Sequence, residues 1–242
     1  DAYVVQKNWV CGNFSVGSGA GIGHLGYSNN GLIEDNDIIF NEGFGPVDFG
    51  EIGNLCSQCH QGRALSPFPD PGGDAVTITS SRYGYHHGPQ AQIVGGFGAF
   101  SLEGDVVDGP MAHGNPNGNE GVCGTCHMGQ AYGEQAGGHT WKMKYEYHGS
   151  FRENIAGCAD CHSTLTTFDH VNLQTNVQAL LDDLADELRR VGVMRQNDHY
   201  AERGTFPADV AAAFVNWQMI TEDRSVGVHN PPYVVSILNE SL

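Results

Sequence analysis

The sequence predicts a mostly irregular chain with a few α-helices, the long ones C-terminal, and little β-structure. Three observations predict it. Glycine supplies 34 of 242 residues while apolar residues make up only 40%, a thin core for this length. Cys-x-x-Cys-His occurs three times, in stretches punctuated by Gly and Pro. Sustained helical periodicity begins only near residue 170.

The repeated motifs are Cys56-Ser57-Gln58-Cys59-His60, Cys123-Gly124-Thr125-Cys126-His127 and Cys158-Ala159-Asp160-Cys161-His162. With 7 Cys and 12 His in the chain, chance would give about 0.01 copies. Each motif is the attachment sequence of a c-type haem: the two thiols add across the vinyl groups and the His becomes an axial ligand. Zinc would need four ligands, usually two matched Cys pairs, but here every pair carries its own His and none has a matching pair nearby. A redox disulfide would need one pair on a strand–helix turn. The expected cofactor is haem c, three per chain. It is bound by Cys56, Cys59, His60, Cys123, Cys126, His127, Cys158, Cys161 and His162. The expected class is a multihaem cytochrome c, organised around three covalent haems whose porphyrins supply the missing apolar mass. Gly lets the backbone approach their faces.

Residues 1–50 form a Gly- and Asn-rich arm, a candidate assembly element. Within it, Tyr3-Val4-Val5 and Asp37-Ile38-Ile39-Phe40 read as short strands. The unpaired Cys11 is either a buried free thiol or a covalent link to another chain. Residues 51–242 form the trihaem domain. Up to about residue 165, punctuation such as Ser66-Pro67-Phe68-Pro69-Asp70-Pro71-Gly72-Gly73 predicts loops and short helices. Leu173, Val177, Leu180, Leu181, Leu184, Leu188 and Val191 then recur at steps of three and four. This predicts an amphipathic helix over 170–192, ended by Gly192. Asp182, Asp183, Asp186 and Glu187 lie off the stripe and read as a solvated face. A second helix is expected over 207–221, entered through Pro207, with Val210, Phe214 and Trp217 on one face. Asn230-Pro231-Pro232 reads as an N-cap and first turn, opening a helix over 231–238.

The formal charge of −17 excludes a phosphate-binding surface, so nucleic acid is not an expected partner. An acidic surface favours basic redox proteins. No apolar run reaches membrane-spanning length, so no transmembrane segment is expected. Haem is attached to c-type cytochromes outside the cytoplasm. The expected location is therefore extracellular or periplasmic, with an export signal removed before Asp1.

The sixth iron position decides function. Nine His remain: His24, His86, His87, His113, His139, His148, His170, His199 and His229. Bis-His iron is six-coordinate and low-spin, which suits electron transfer; with nine spare His, Met is the weaker rival. Small neighbours leave room for a porphyrin edge at Gly23-His24, His86-His87-Gly88, His113-Gly114, Gly138-His139 and His229. His148, His170 and His199 read as surface or hydrogen-bonded residues.

From residue 56 onward the chain resembles the C-terminal haem module of pentahaem cytochrome c nitrite reductases. The likeness rests on His86-His87-Gly88-Pro89 after the first motif and Met111-Ala112-His113-Gly114 before the second. It also rests on Gly138-His139 between the second and third motifs, and on helices leading into Gly227-Val228-His229-Asn230-Pro231. It covers about three quarters of the chain. The resemblance implies His229 opposite His127, His113 opposite His162, and His24 opposite His60. It departs from the family in lacking Cys-x-x-Cys-Lys and a Tyr in the first turn after His60. His87 and His139 are left over. Either they ligate haems of this chain, or one reaches the haem of a neighbouring subunit, as resembles extracellular cytochrome filaments.

The function expected is electron transfer through three closely packed bis-His c-type haems, by a carrier or as the subunit of a conductive filament, and not enzymatic catalysis. Two alternatives stand beside it. One is a reductase of a small nitrogen or sulfur oxyanion at an open haem, with Arg82, Tyr83, Tyr85, His86 and His87 about the pocket. The other is a haem subunit of a larger redox complex.

Overall fold

The computed structural model describes Phe49 and residues 51–85, 87–104, 106–114 and 122–242. Before them it describes four strand segments of backbone. These are β1 (Val4–Gln6), β2 (Trp9–Cys11), β3 (Leu32–Glu34) and β4 (Asp37–Ile39). They pair in parallel, β1 with β3 and β2 with β4, with Val5 opposite Ile33 and Val10 opposite Ile38. The Val and Ile runs of β1 and β4 are the apolar stretches read as strands. Apart from Phe49, the rest of the arm, with the Cys11 side chain, lies outside the described residues.

Short elements follow: α1 (Glu51–Ser57), β5 (Val76–Ile78), α2 (Gln90–Gly95), α3 (Val122–His127), β6 (Lys144–Tyr147) and β7 (Ser150–Glu153). The β6–β7 hairpin was not expected from the Gly-rich sequence around it. It closes through His148-Gly149, with φ of 51° and 77°. Positive φ at both loop positions is the primed turn that matches strand twist. Tyr147 pairs with Ser150 and Lys144 with Glu153, and the latter two also form an ion pair at 3.3 Å.

The chain then becomes strongly helical. α4 (Leu173–Arg190) buries Val177, Leu181, Leu184, Ala185 and Leu188. Asp182, Asp183 and Asp186 lie on its exposed side. Gly192 takes φ 83°. Its N–H bonds to Arg189 O at 3.1 Å and that of Val193 to Leu188 O at 3.1 Å, the paired C-terminal closure that needs a left-handed residue. Val191, placed on the apolar stripe by its spacing, sits past the last turn and is exposed.

β8 (Gly204–Phe206) pairs antiparallel with β5 and leads into α5 (Ala208–Asp223), which is buried continuously from Ala211 to Ile220. The one-sided face expected for α5 is therefore an all-round one. α4, α2 and α6 (Pro231–Ser241) surround it. α6 begins as the sequence suggests, with Asn230 Oδ1 accepting the Tyr233 N–H at 3.4 Å and Pro231 and Pro232 in the first turn. Among the described residues, no helix is long and apolar enough to cross a membrane.

Two buried polar side chains of α5 make long-range bonds: Asn216 ties the loop at Phe100 to this bundle, and Trp217 ties α5 to α4. Asn216 accepts the Phe100 N–H at 2.8 Å and donates to Phe100 O at 2.8 Å and to Ser241 Oγ at 3.0 Å. Trp217 Nε1 donates to Leu181 O at 2.9 Å. Each buried group left without its partner costs about 1–3 kcal/mol. Asn216→Leu should therefore lower unfolding free energy by roughly 3 kcal/mol, read as an earlier midpoint in denaturant titration.

Candidate metal centre

All three Cys-x-x-Cys-His motifs fold into single helical turns. The second lies wholly inside α3. In the first, the N–H groups of Cys59 and His60 bond back to Cys56 O at 3.1 and 3.0 Å. In the third, those of Cys161 and His162 bond to Cys158 O at 3.2 and 2.7 Å. One turn brings residues three and four apart onto one side. Each motif thus presents two thiols and an imidazole from a single turn.

The motifs are also neighbours. α1 packs on α3, and α3 on the 3-10 turn Ala156–Cys158. The Cys56 and Cys123 thiols are hydrogen-bond partners, and Cys126 lies close to Cys158 and Cys161. Glycine permits the second contact. A Cβ on Gly157 would stand 3.0 Å from Thr125 O and 3.1 Å from Cys126 Cα. Burial, the main cause in each case, pushes the Cys123 thiol up to about 12 and the Cys126 thiol up to about 11. Thiolate chemistry requires the opposite shift. Among the described residues, no group of three or more His, Cys, Asp and Glu converges as a metal cage would.

Imidazoles from distant parts of the chain come to these turns. The rings of His127 and His229 have centres 6.3 Å apart, and those of His113 and His162 are 6.0 Å apart. These are the two pairs that the resemblance implies. Two imidazoles on opposite faces of one metal, each bonded at about 2 Å with the ring centre about 1.1 Å further, stand roughly 6.3 Å apart. The spacing within each pair is close to that value.

Hydrogen bonds turn the rings. His127 Nδ1–H donates to Trp141 O at 2.8 Å and His113 Nδ1–H to Val228 O at 2.6 Å. Carbonyls only accept, so these tautomers leave Nε2 as the lone-pair atom. His229 Nδ1–H donates to Asp223 Oδ1 at 2.6 Å. His60 Nδ1 lies 3.1 Å from Gln90 Oε1. Gln90 Nε2 is committed as donor to Glu222 O and Asp223 O, each at 3.2 Å, so Oε1 must accept and His60 Nδ1 carries the proton. Burial is the main cause pushing His127 below the ordinary histidine value. Burial works the same way on His229, but the charge and hydrogen bond of Asp223 outweigh it and hold His229 high.

Apolar side chains beside the motifs remain uncovered by protein. Leu55, next to Cys56, is 65% exposed, and Val171 is 76% exposed. Trp141, whose carbonyl orients His127, is also exposed. Flat apolar groups laid on these turns would cover such surface.

The other predicted residues fall elsewhere. His24 and His86 lie outside the described residues. His139 is exposed in the 3-10 turn Gly138–Thr140, which ends at Trp141. His87 is exposed, with Nδ1 3.4 Å from Glu222 Oε2. His170, read as a surface residue, has its ring centre 5.5 Å from that of His162, closer than an intervening metal allows. Tyr83 and Tyr85, considered for an open pocket, are core residues: Tyr83 stacks on Phe214 at 6.3 Å and Tyr85 donates to Gly98 O at 2.9 Å. Sequence reasoning missed Gln90, Asp223, Trp141 and Val228. Two of them act through backbone carbonyls, which carry no residue signature.

Against protein-family models, curated proteins and solved structures, the chain finds no match.

The Gly157 contact gives a test. Gly157→Ala forces the second and third motifs apart and should cost about 1–3 kcal/mol, visible as a lower Tm.

Proposed function

We propose that the chain is an electron carrier holding three covalent c-type haems in a row, each iron held from both faces by imidazole. The observation that carries this reading is the two imidazole couples, His127 with His229 and His113 with His162, at 6.3 and 6.0 Å. In them the outer nitrogens of His127, His229 and His113 are already hydrogen-bonded. When bound, haem supplies one-electron chemistry at iron, and two axial imidazoles let iron change oxidation state with little rearrangement.

The protein's part is placement. Each motif turn offers two thiols for thioether bonds and one proximal imidazole. Packing of α1 on α3, and of α3 on the 3-10 turn Ala156–Cys158, supports a linear order with the second motif in the middle. Cofactors attached at such neighbouring thiols would be close together, and electrons would then need to cross only short gaps. Burial of Tyr83 and Tyr85 in the core takes two of the five side chains considered for a reductase pocket away from the surface. The same reading places the protein outside the cytoplasm, among redox proteins attracted to an acidic surface. The surface imidazoles His87 and His139 are the residues by which identical subunits would join haem to haem in a homopolymer.

The test is spectroscopic. A pyridine haemochrome assay should count three haems per chain, and electron paramagnetic resonance of the resting oxidised protein should show low-spin iron only. A high-spin ferric signal, or water on any iron, overturns the reading. His229→Ala should convert one of the three irons to high-spin, with added imidazole restoring it. An unchanged spectrum would remove His229 from the ligand set.

A further inference from the structure

We propose that Asp223 is a positioning residue that lowers the reduction potential of the His127–His229 iron, below the value those two imidazoles would give with neutral partners. The inference rests on the electron-carrier reading above.

The imidazoles differ in what receives their outer N–H. For His127 and His113 it is a backbone carbonyl, of Trp141 and Val228. For His60 it is the side-chain amide of Gln90. For His229 it is a carboxylate at 2.6 Å. The Asp223 side chain is wholly buried, so solvent does not screen its charge. Its geometry is fixed from the other side. Asp223 Oδ2 accepts from the Ser225 hydroxyl and from the Ser225 N–H at 3.3 Å, which leaves Oδ1 for His229. The Ser225 hydroxyl oxygen in turn accepts the His229 N–H at 3.2 Å, so ring and carboxylate are held as one unit.

A carboxylate drawing on Nδ1–H raises the basicity of the ligating nitrogen. A stronger donor, with a negative charge near the metal, favours ferric over ferrous iron. The reduction is Fe(III) plus one electron to Fe(II), with no bond made or broken. For a one-electron couple each tenfold change in that preference reads as about 59 mV.

The test is potentiometric titration of the haem-loaded protein as wild type, Asp223→Asn and Ser225→Ala, with electron paramagnetic resonance of each oxidised form. Asp223→Asn keeps an oxygen toward His229 but removes the charge. It should raise one of three midpoints, by about 59 mV for each tenfold of ferric preference lost, and alter one low-spin signal. Ser225→Ala removes a donor that competes for the carboxylate and should move the same midpoint downward. Opposite movements support the proposal. A silent Asp223→Asn, or both variants moving one midpoint the same way as general loosening would, overturns it. Should Asp223→Asn fail to retain three haems, Ser225→Ala decides alone: a downward shift supports, any other result overturns. A wild type with fewer than three haems or with high-spin iron instead defeats the carrier reading, before any variant is made.

Discussion

The connection between α5 and α6 is the constraint on which the candidate centre depends. Residues 222–229 supply hydrogen-bond acceptors toward all three motif regions. Glu222 O and Asp223 O hold Gln90, which turns His60. Asp223 Oδ1 holds His229, which stands against His127. Val228 O holds His113, which stands against His162. A segment with so many orienting duties must itself be rigid. Its two ends are fixed: α5 is buried on every side and α6 is locked at its first turn by Asn230.

This explains a division of labour within the chain. The motif turns are short and partly exposed, with few apolar side chains of their own. The apolar mass of the described residues is gathered instead in α4, α5 and α6 with Tyr83, Tyr85, Ile93 and Phe100. A small satellite cluster of Phe49, Ala91, Val94 and Val122 joins α2 to the start of α3. The helical bundle acts as a frame, and precise ring orientation is exported from it through hydrogen bonds. Sites positioned by packed elements hold their geometry better than sites left to loops.

The close approach of the motifs carries a consequence for order. Gly157 and Gly129 bring the backbone of the third motif against that of the second, and a thiol contact joins the first to the second. The middle motif therefore touches both neighbours. Its imidazole pair is also the one with a buried carboxylate behind it. Among the described residues, the buried carboxylate thus lies behind the motif that touches both others.

Much of this was legible from residues alone. That each Cys-x-x-Cys-His motif gathers two thiols and an imidazole on one turn is legible because the spacing matches a single helical turn, a purely local property. The α4 stripe, its glycine stop and the Asn230-Pro231-Pro232 start are local too, since caps and periodicity act within a few residues. The β6–β7 hairpin had its own local signal in His148-Gly149, overshadowed by the surrounding glycines. The partner of each imidazole could not be read in this way. His113 and Val228 are 115 positions apart, and their meeting depends on how α5 packs between α2, α4 and α6. Nor does composition single out Asp223 among 28 acidic residues. Sequence determined which atoms are available to hold a metal. Tertiary packing decided which of them meet, because only burial about α5 brings chain segments so far apart to within hydrogen-bonding distance.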